Sequence, residues 1–212
     1  SRASFGLWDG SKWHTWFLPS SPLPSLDAIL ASIPSDFNVS EVVCCTVVPD
    51  WQPLVAELGS YLKTSAKFVR ADYDWGFSVS YSNRAKLGTD RIVNDLAAFQ
   101  KFPLPCIVID VGTAATFDVL ALRNDVRWFL GGVILPGPET MRNSLFKRTA
   151  QLPEVKLEWP EKVIGTSTDK AIQSGILHFF AEGVDGMVRR LCGELGEPAT
   201  VVMTGGLSGL IF

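Results

Sequence analysis

Apolar and polar positions alternate with period two over SFGLWDG (residues 4–10) and SKWHTWFLP (11–19), which predicts a β-hairpin turning at Asp9-Gly10. A helix is expected around SLDAILASI (25–33), then a strand over NVSEVVCCTVV (38–48) stopped by Pro49. A helix over WQPLVAELGSYL (51–62) and a strand over AKFVRA (66–71) follow. The run YSNRAKLGTDRIVNDLAAF (81–99) ends in an amphipathic helix with Ile92, Leu96 and Phe99 on one side. A similar order then recurs. The strand CIVIDVG (106–112) precedes a hairpin, ATFDVLAL (115–122) with VRWFLGGVIL (126–135), turning at Arg123-Asn124-Asp125. A helix over PETMRNSLFKRTA (138–150), a long helix from about Thr168 to Cys192 and a strand over ATVVMTGG (199–206) complete it. Two halves built from one pattern suggest two α/β lobes of duplicated topology with a cleft between them, residues 1–103 and 104–212, divided near FPLP (102–105). A β-rich Rossmann-like sheet is the alternative, but no G-x-G-x-x-G is present.

The chemistry concentrates where strand 106–112 meets its turn. Asp110 is delivered into Gly112-Thr113-Ala114-Ala115-Thr116. Gly112 lets the backbone approach a phosphate, Thr113 and Thr116 offer hydroxyls, and Asp110 stands where a hydrated cation is needed. A buried strand with a threonine-rich turn is the competing reading. A P-loop is excluded, because Gly132 to Gly137 is followed by Pro138 where that motif needs lysine. Asp90, in LGTDR (87–91), either caps the helix it opens or deprotonates an alcohol beside Arg91. Thr166, Ser167 and Thr168 open the long helix as cap hydroxyls, and Ser174-Gly175 allows another helix or chain to approach closely.

Composition narrows the choice of reaction. The 212 residues are 47% hydrophobic and 19% charged, with net charge −3 and no basic footprint for nucleic acid. No run is long and apolar enough to span a membrane, and the start does not read as a signal peptide. Cys44, Cys45, Cys106 and Cys192 lie in apolar runs without metal spacing, as expected for buried thiols in a reducing compartment. The two histidines, His14 and His178, read as structural, with His14 expected to alternate outward from its strand. Without zinc clusters or a serine-hydrolase motif, what remains is carboxylates, hydroxyls and glycines, the groups that metal-assisted phosphoryl transfer uses.

Seven runs in order (CCTVVPDW 44–51, LGTDR 87–91, DVGTAATFD 110–118, GGVILPG 131–137, LFKRTAQLP 145–153, TDKAIQSGI 168–176 and TGG 204–206) resemble type III pantothenate kinases, of the acetate/sugar kinase–actin superfamily. The resemblance implies ribonuclease H-like lobes and ATP-dependent phosphorylation of pantothenate, the entry to coenzyme A. It implies Mg2+ with ATP, a monovalent cation (K+ or NH4+), a cytoplasmic homodimer, and no nucleic-acid or membrane partner. Residue by residue, Asp90 corresponds to the general base, and Tyr81, Gly88, Thr89 and Arg91 fall on the pantothenate side with Gly131, Gly132 and Gly137. Thr168 corresponds to a threonine that closes that pocket from the partner subunit. Gly112, Thr113, Thr116, Thr204, Gly205 and Gly206 correspond to the ATP side, and Asp110 to the monovalent-cation site.

Three departures go with it. The family opens on a strand ending D-x-G-N-[ST], of which Ser1-Arg2 resembles only the tail, so an upstream strand is expected by the family pattern and by the internal repeat alike. The family also continues past a point corresponding to Phe212. Arg84 stands where the family commonly has proline after the Asn of Y-x-N. The alternatives are a non-catalytic homologue acting as a transcriptional accessory factor, against which an intact LGTDR and DVGTAAT argue, and a sugar or acetate kinase, which the pairing of GGVILPG with LGTDR does not support.

Overall fold

The computed structural model describes residues 2–34 and 37–211; Ser1 and Phe212, on which the two terminal expectations bear, lie outside the described residues. The architecture is mixed α/β, and the chain divides into two compact units. One is Ser1–Tyr73 with Ala85–Ile92, the other Asp74–Arg84 with Val93–Phe212. Among the described residues no helix is long and apolar enough to cross a membrane.

In the first unit, β1 (Arg2–Trp8) and β2 (Trp13–Pro19) pair antiparallel from Arg2↔Pro19 to Trp8↔Trp13. Alternation turns Ala3, Phe5 and Leu18 inward, with Phe5 stacked on Trp16 at 5.6 Å. The connection is residues 9–12, longer than the Asp9-Gly10 turn expected, because Asp9 organises it. Its Oδ1 accepts from the backbone N–H groups of Ser11 and Lys12, each at 2.8 Å, and from the Ser11 hydroxyl at 2.7 Å. His14 does not point outward as expected. It lies at the hairpin tip on the inner face, with Nε2 2.7 Å from Asp9 Oδ2 and its ring 5.1 Å from Phe37. That bond, with the three others, holds the Asp9 carboxyl far below the usual carboxylate range.

The helices α1 (Leu26–Ser32) and α2 (Trp51–Tyr61) and the parallel strands β3 (Val42–Cys44) and β4 (Ala66–Phe68) complete this unit. Ile29, Trp51, Val55 and Leu58 form its core, on which both strand pairs pack. β3 is far shorter than the run of residues 38–48. After Cys44 the Thr46 hydroxyl takes the Val48 N–H at 3.0 Å, giving the backbone a local partner in place of a ladder. Cys45 is consequently exposed and Cys44 and Cys192 are half-buried, so of the four thiols expected to be buried only Cys106 is.

The second unit is a five-stranded sheet in the order β5-β8-β7-β6-β9: β5 (Ser78–Val79), β6 (Cys106–Val111), β7 (Ala114–Arg123), β8 (Val126–Pro136) and β9 (Thr200–Thr204). β6–β7 and β7–β8 are antiparallel, while β5–β8 and β6–β9 are parallel. Asn124 and Asp125, at φ 50° and 61°, make the expected hairpin turn. β6 is covered on both sides. Ile107, Ile109 and Val111 meet Ile176, Leu177, Phe180 and Val184 of α5 (Thr168–Leu195). On the other face Asn94, from α3 (Thr89–Lys101), reaches Asp110, and Asp95 lies near Cys106. Burial first, and the Asp95 charge second, push that thiol up to about 11. α4 (Pro138–Arg148) follows β8, and the short α6 (Ser208–Ile211) follows β9.

Candidate active site

Three of the expected residues come from three neighbouring strands of the second unit and share one row. The register sets Asp110 of β6 beside Thr116 of β7 on one side and Thr204 of β9 on the other. Laterally paired residues point to the same face of a sheet, so a carboxylate and two hydroxyls line up across the strand ends. Asp110 Oδ2 accepts from Asn94 Nδ2 at 2.9 Å. Its Oδ1 lies against Gly205, where a Cβ would fall 2.5 Å from that oxygen and 2.5 Å from the Val111 backbone. Gly205 also has φ 98°, so the turn after β9 needs glycine for its conformation and for the close approach. Leu207 N donates to the Val111 carbonyl at 3.0 Å and the Ser208 hydroxyl to the Gly205 carbonyl at 2.8 Å, which fixes that turn; Gly206 is exposed within it.

The turn between β6 and β7 is fixed from the side by α4. Gly112 N donates to the Ala114 carbonyl at 3.0 Å, and the Thr113 carbonyl accepts from Gly137 N at 2.9 Å and from the Thr140 hydroxyl at 2.6 Å. Gly137 is the N-cap of α4, with Pro138 next, and it touches the turn so closely that a Cβ on it would overlap the Gly112 carbonyl oxygen. The turn therefore sits at a helix start. Thr113 is exposed and Thr116 half-buried. An all-oxygen set of one carboxylate and two hydroxyls suits a hard cation of low charge. Among the described residues no group of three or more His, Cys, Asp or Glu could hold a metal ion.

The remaining expected residues of this unit lie elsewhere in it. Gly131 and Gly132 are on β8, where the register slips between Val119 and Leu120, and Gly131 takes φ 124° at that bulge. Tyr81 is beside the same strand, its ring 6.0 Å from that of Phe129, while Ser80 N donates to the Phe129 carbonyl at 2.8 Å. Thr168 is the first residue of α5, after the Ser167 cap, and lines a groove of about 510 Å³ with Met141, Leu145, Ile172 and Gly175. Ser174 turns inward instead, its hydroxyl donating to the Val163 carbonyl at 2.5 Å. Sequence reasoning passed over Asn94 and Thr140. The signal for Asn94 was a polar residue four positions after Asp90 on one helix; for Thr140 it was a hydroxyl three positions after the cap.

In the first unit, LGTDR forms the entry to α3. Leu87 is buried, and Thr89 donates through its hydroxyl to the Thr46 carbonyl at 3.2 Å, tying the helix start to the loop after β3. Asp90 is exposed in the first turn, with Oδ1 accepting from Arg91 N at 2.9 Å. That oxygen sits where a side chain on Gly88 would go. The Cys45 thiol pKa is raised, by partial desolvation first, against the lowering effect of its contact with the Thr89 hydroxyl and with a smaller raising contribution from the Asp90 carboxylate. Arg91 is buried.

These arrangements can be set beside known proteins. The sequence matches the family model for type III pantothenate kinase over residues 1–190. The chain belongs to that family. The matched span holds every expected site residue except Thr204, Gly205 and Gly206. A type III pantothenate kinase of Koribacter versatilis is 41% identical over 178 residues, which are 83% of this chain and 64% of that protein. One from Dehalococcoides mccartyi is 34% identical over 223 residues, 100% of this chain and 84% of that protein, and so extends the match past β9. The chain thus spans less than two thirds of the first relative and more of the second. A crystal structure from Campylobacter jejuni, described as a Baf family transcriptional activator, superposes with a TM-score of 0.56 at 18% identity, covering 93% of this chain and 78% of that one. That likeness concerns the fold alone.

Proposed function

We propose that this protein transfers the γ-phosphoryl group of ATP to the primary hydroxyl of pantothenate, giving 4'-phosphopantothenate and ADP at the start of coenzyme A synthesis. Beyond family membership, the reading rests on one observation: the row Asp110, Thr116 and Thr204 beside a glycine turn pinned at the start of α4. In the reaction the alcohol oxygen bonds to phosphorus, the bond from phosphorus to the bridging oxygen breaks toward ADP, and the alcohol proton passes to Asp90. Gly112, Thr113 and Thr116 supply backbone and hydroxyl donors to the phosphates, and Thr204, Gly205 and Gly206 line the nucleotide side. Asp110 would hold K+ or NH4+ with its two threonine neighbours. Mg2+ bound with ATP would supply charge neutralisation on the phosphates. Tyr81, Gly88, Thr89, Arg91, Gly131, Gly132 and Gly137 take the pantothenate side.

The finer architecture belongs to the same proposal: two ribonuclease H-like lobes, residues 1–103 and 104–212, with the substrates in a cleft between them. It is supported by the pieces of the two units. One sheet runs hairpin β8-β7, then β6, then parallel β9; the other unit holds a hairpin β2-β1 and a parallel pair β3-β4 on one core. The protein would act in the cytoplasm on small molecules, not on nucleic acid or membranes.

The test is ADP release with pantothenate, against glucose and acetate as acceptors. Release that depends on pantothenate and Mg2+, and rises when Na+ is replaced by K+ or NH4+, is the expected result; release indifferent to pantothenate removes the reading. A homodimer is also proposed, with Thr168 serving the partner's site. Phe179 on α5 is 69% exposed and Ile164 just before it 83%, an apolar surface suited to a second copy. Light scattering at micromolar concentration should give the mass of two chains, and the mass of one would end the role given to Thr168.

A further inference from the structure

The loop after β3 is pinned on both sides of an apolar side chain that it leaves in water. The Thr46 hydroxyl accepts from Val48 N at 3.0 Å and donates to the Val48 carbonyl at 3.1 Å. The Thr46 carbonyl accepts from the Thr89 hydroxyl at 3.2 Å, and the Val48 carbonyl takes Trp51 N at 3.2 Å where α2 begins. Val47 stands between these anchors with 59% of its surface exposed. A lone exposed valine carries little meaning, since folded proteins show many. Its neighbour gives this one a meaning.

That neighbour is Asp90. The backbone at Gly88 is not left-handed, so glycine serves there for space and not for conformation. A Cβ on Gly88 would overlap Asp90 Oδ1 and come to 3.7 Å from Val47 Cγ1. A carboxylate oxygen and a valine methyl therefore flank one spot above Gly88. Both residues are exposed, and both belong to the first unit.

We infer that Val47 is a specificity-determining residue for the acceptor, receiving the dimethyl-substituted carbon beside the hydroxyl that Asp90 deprotonates. The inference rests on the reading of Asp90 as the base and of pantothenate as the acceptor. In pantothenate that hydroxyl is carried by a CH2 group bonded to a carbon with two methyl substituents. A base stands about 2.6–3.2 Å from the oxygen whose proton it takes. The methyl groups are only three bonds from that oxygen, so what flanks the base meets them. A polar flank would give up water on that contact without regaining a hydrogen bond. A valine methyl has no such loss, and its burial against the substrate is favourable. An acceptor without the two methyl groups leaves Val47 in water and forfeits that gain.

The experiment compares pantothenate with the analogue bearing hydrogens in place of both methyl groups, by ADP release at saturating ATP and Mg2+. Wild type should prefer pantothenate. Val47→Ala should lower kcat/KM for pantothenate about tenfold more than for the analogue, mainly through KM. Its melting temperature should stay near that of wild type, because the side chain is mostly exposed. Val47→Thr, of the same shape with a hydroxyl for one methyl, should lose a similar share of the preference. Val48→Ala, on the same loop and with its backbone bonds intact, should keep the wild-type preference. Asp90→Asn is measured with both acceptors. If it stops turnover with both while the two Val47 variants keep the wild-type preference, the role of Val47 is overturned and the proposed reaction stands. A loss of preference in Val48→Ala as large as that in Val47→Ala would also overturn it, as an effect of the loop alone. If Asp90→Asn leaves turnover intact, the reading of Asp90 falls and the inference falls with it.

Discussion

Asp90→Asn should lower turnover with pantothenate by about 10²-fold or more, with the melting temperature nearly unchanged. The geometry makes the substitution clean. Asp90 is exposed in the first turn of α3 and uses one oxygen to accept the Arg91 N–H at 2.9 Å, and an asparagine carbonyl can accept the same bond. What it cannot do is take a proton from an alcohol. The loss of a negative charge at a helix start costs roughly 0.3–1 kcal/mol, small beside the kinetic effect. The change has its own internal reporter. The Asp90 charge contributes to raising the Cys45 thiol pKa, so removing it should lower that pKa and speed alkylation of Cys45. A variant that melts earlier but keeps its specific activity would reduce Asp90 to a helix cap. One whose Cys45 alkylates at the wild-type rate would show that the charge was not acting there.

What could be read from the sequence was whatever a short window determines. The runs 106–112, 115–122 and 126–135 are apolar, β-branched and separated by Gly-Thr or Asn-Asp turns, and they fold as β6, β7 and β8 with the turn at Asn124-Asp125. The helices over 138–150 and from Thr168 carry their own start signals, Gly137-Pro138 and Ser167. What the sequence hid depends on partners far along the chain. The strand of residues 38–48 stops at Cys44 because the Thr46 hydroxyl takes the Val48 N–H and the Thr46 carbonyl takes the Thr89 hydroxyl, 43 residues on. β5, two residues long, exists only through its pairing with Trp128 and Phe129 on β8. His14 was misplaced because alternation alone does not reveal that Asp9 holds the hairpin tip. At the site, Asp110 and its two threonines were legible as residue types. Their alignment on one row was not, because it depends on the register of β6 with strands on both sides. Asn94 was passed over for a like reason: the bond it makes is to a residue 16 positions away.

Gly137→Ala should destabilise the protein through contact alone, and it should abolish ATP binding before it unfolds the protein. Gly137 has φ −70°, a conformation open to alanine, so backbone strain is not the cause. The cause is contact: the added Cβ would overlap the Gly112 carbonyl oxygen and lie 3.0 Å from that of Thr113. Both atoms are backbone and cannot swing aside like the end of a side chain, so the turn between β6 and β7 must shift. Shifting it strains the bonds from Gly137 N and the Thr140 hydroxyl to the Thr113 carbonyl, which hold the turn against α4. Overpacking of this kind costs about 1–3 kcal/mol. For a chain of this size each kcal/mol lowers the melting temperature by about 2–4 °C. Gly193→Ala provides the contrast, since nothing lies within 4 Å of its added Cβ and it sits inside α5. It should raise stability by roughly 1 kcal/mol through helix propensity. Calorimetry and nucleotide titration on both variants give the comparison. A Gly137→Ala protein that melts and binds ATP like wild type would mean that the turn has room to yield, and the tight seat between α4 and the β6–β7 turn would not be what fixes it.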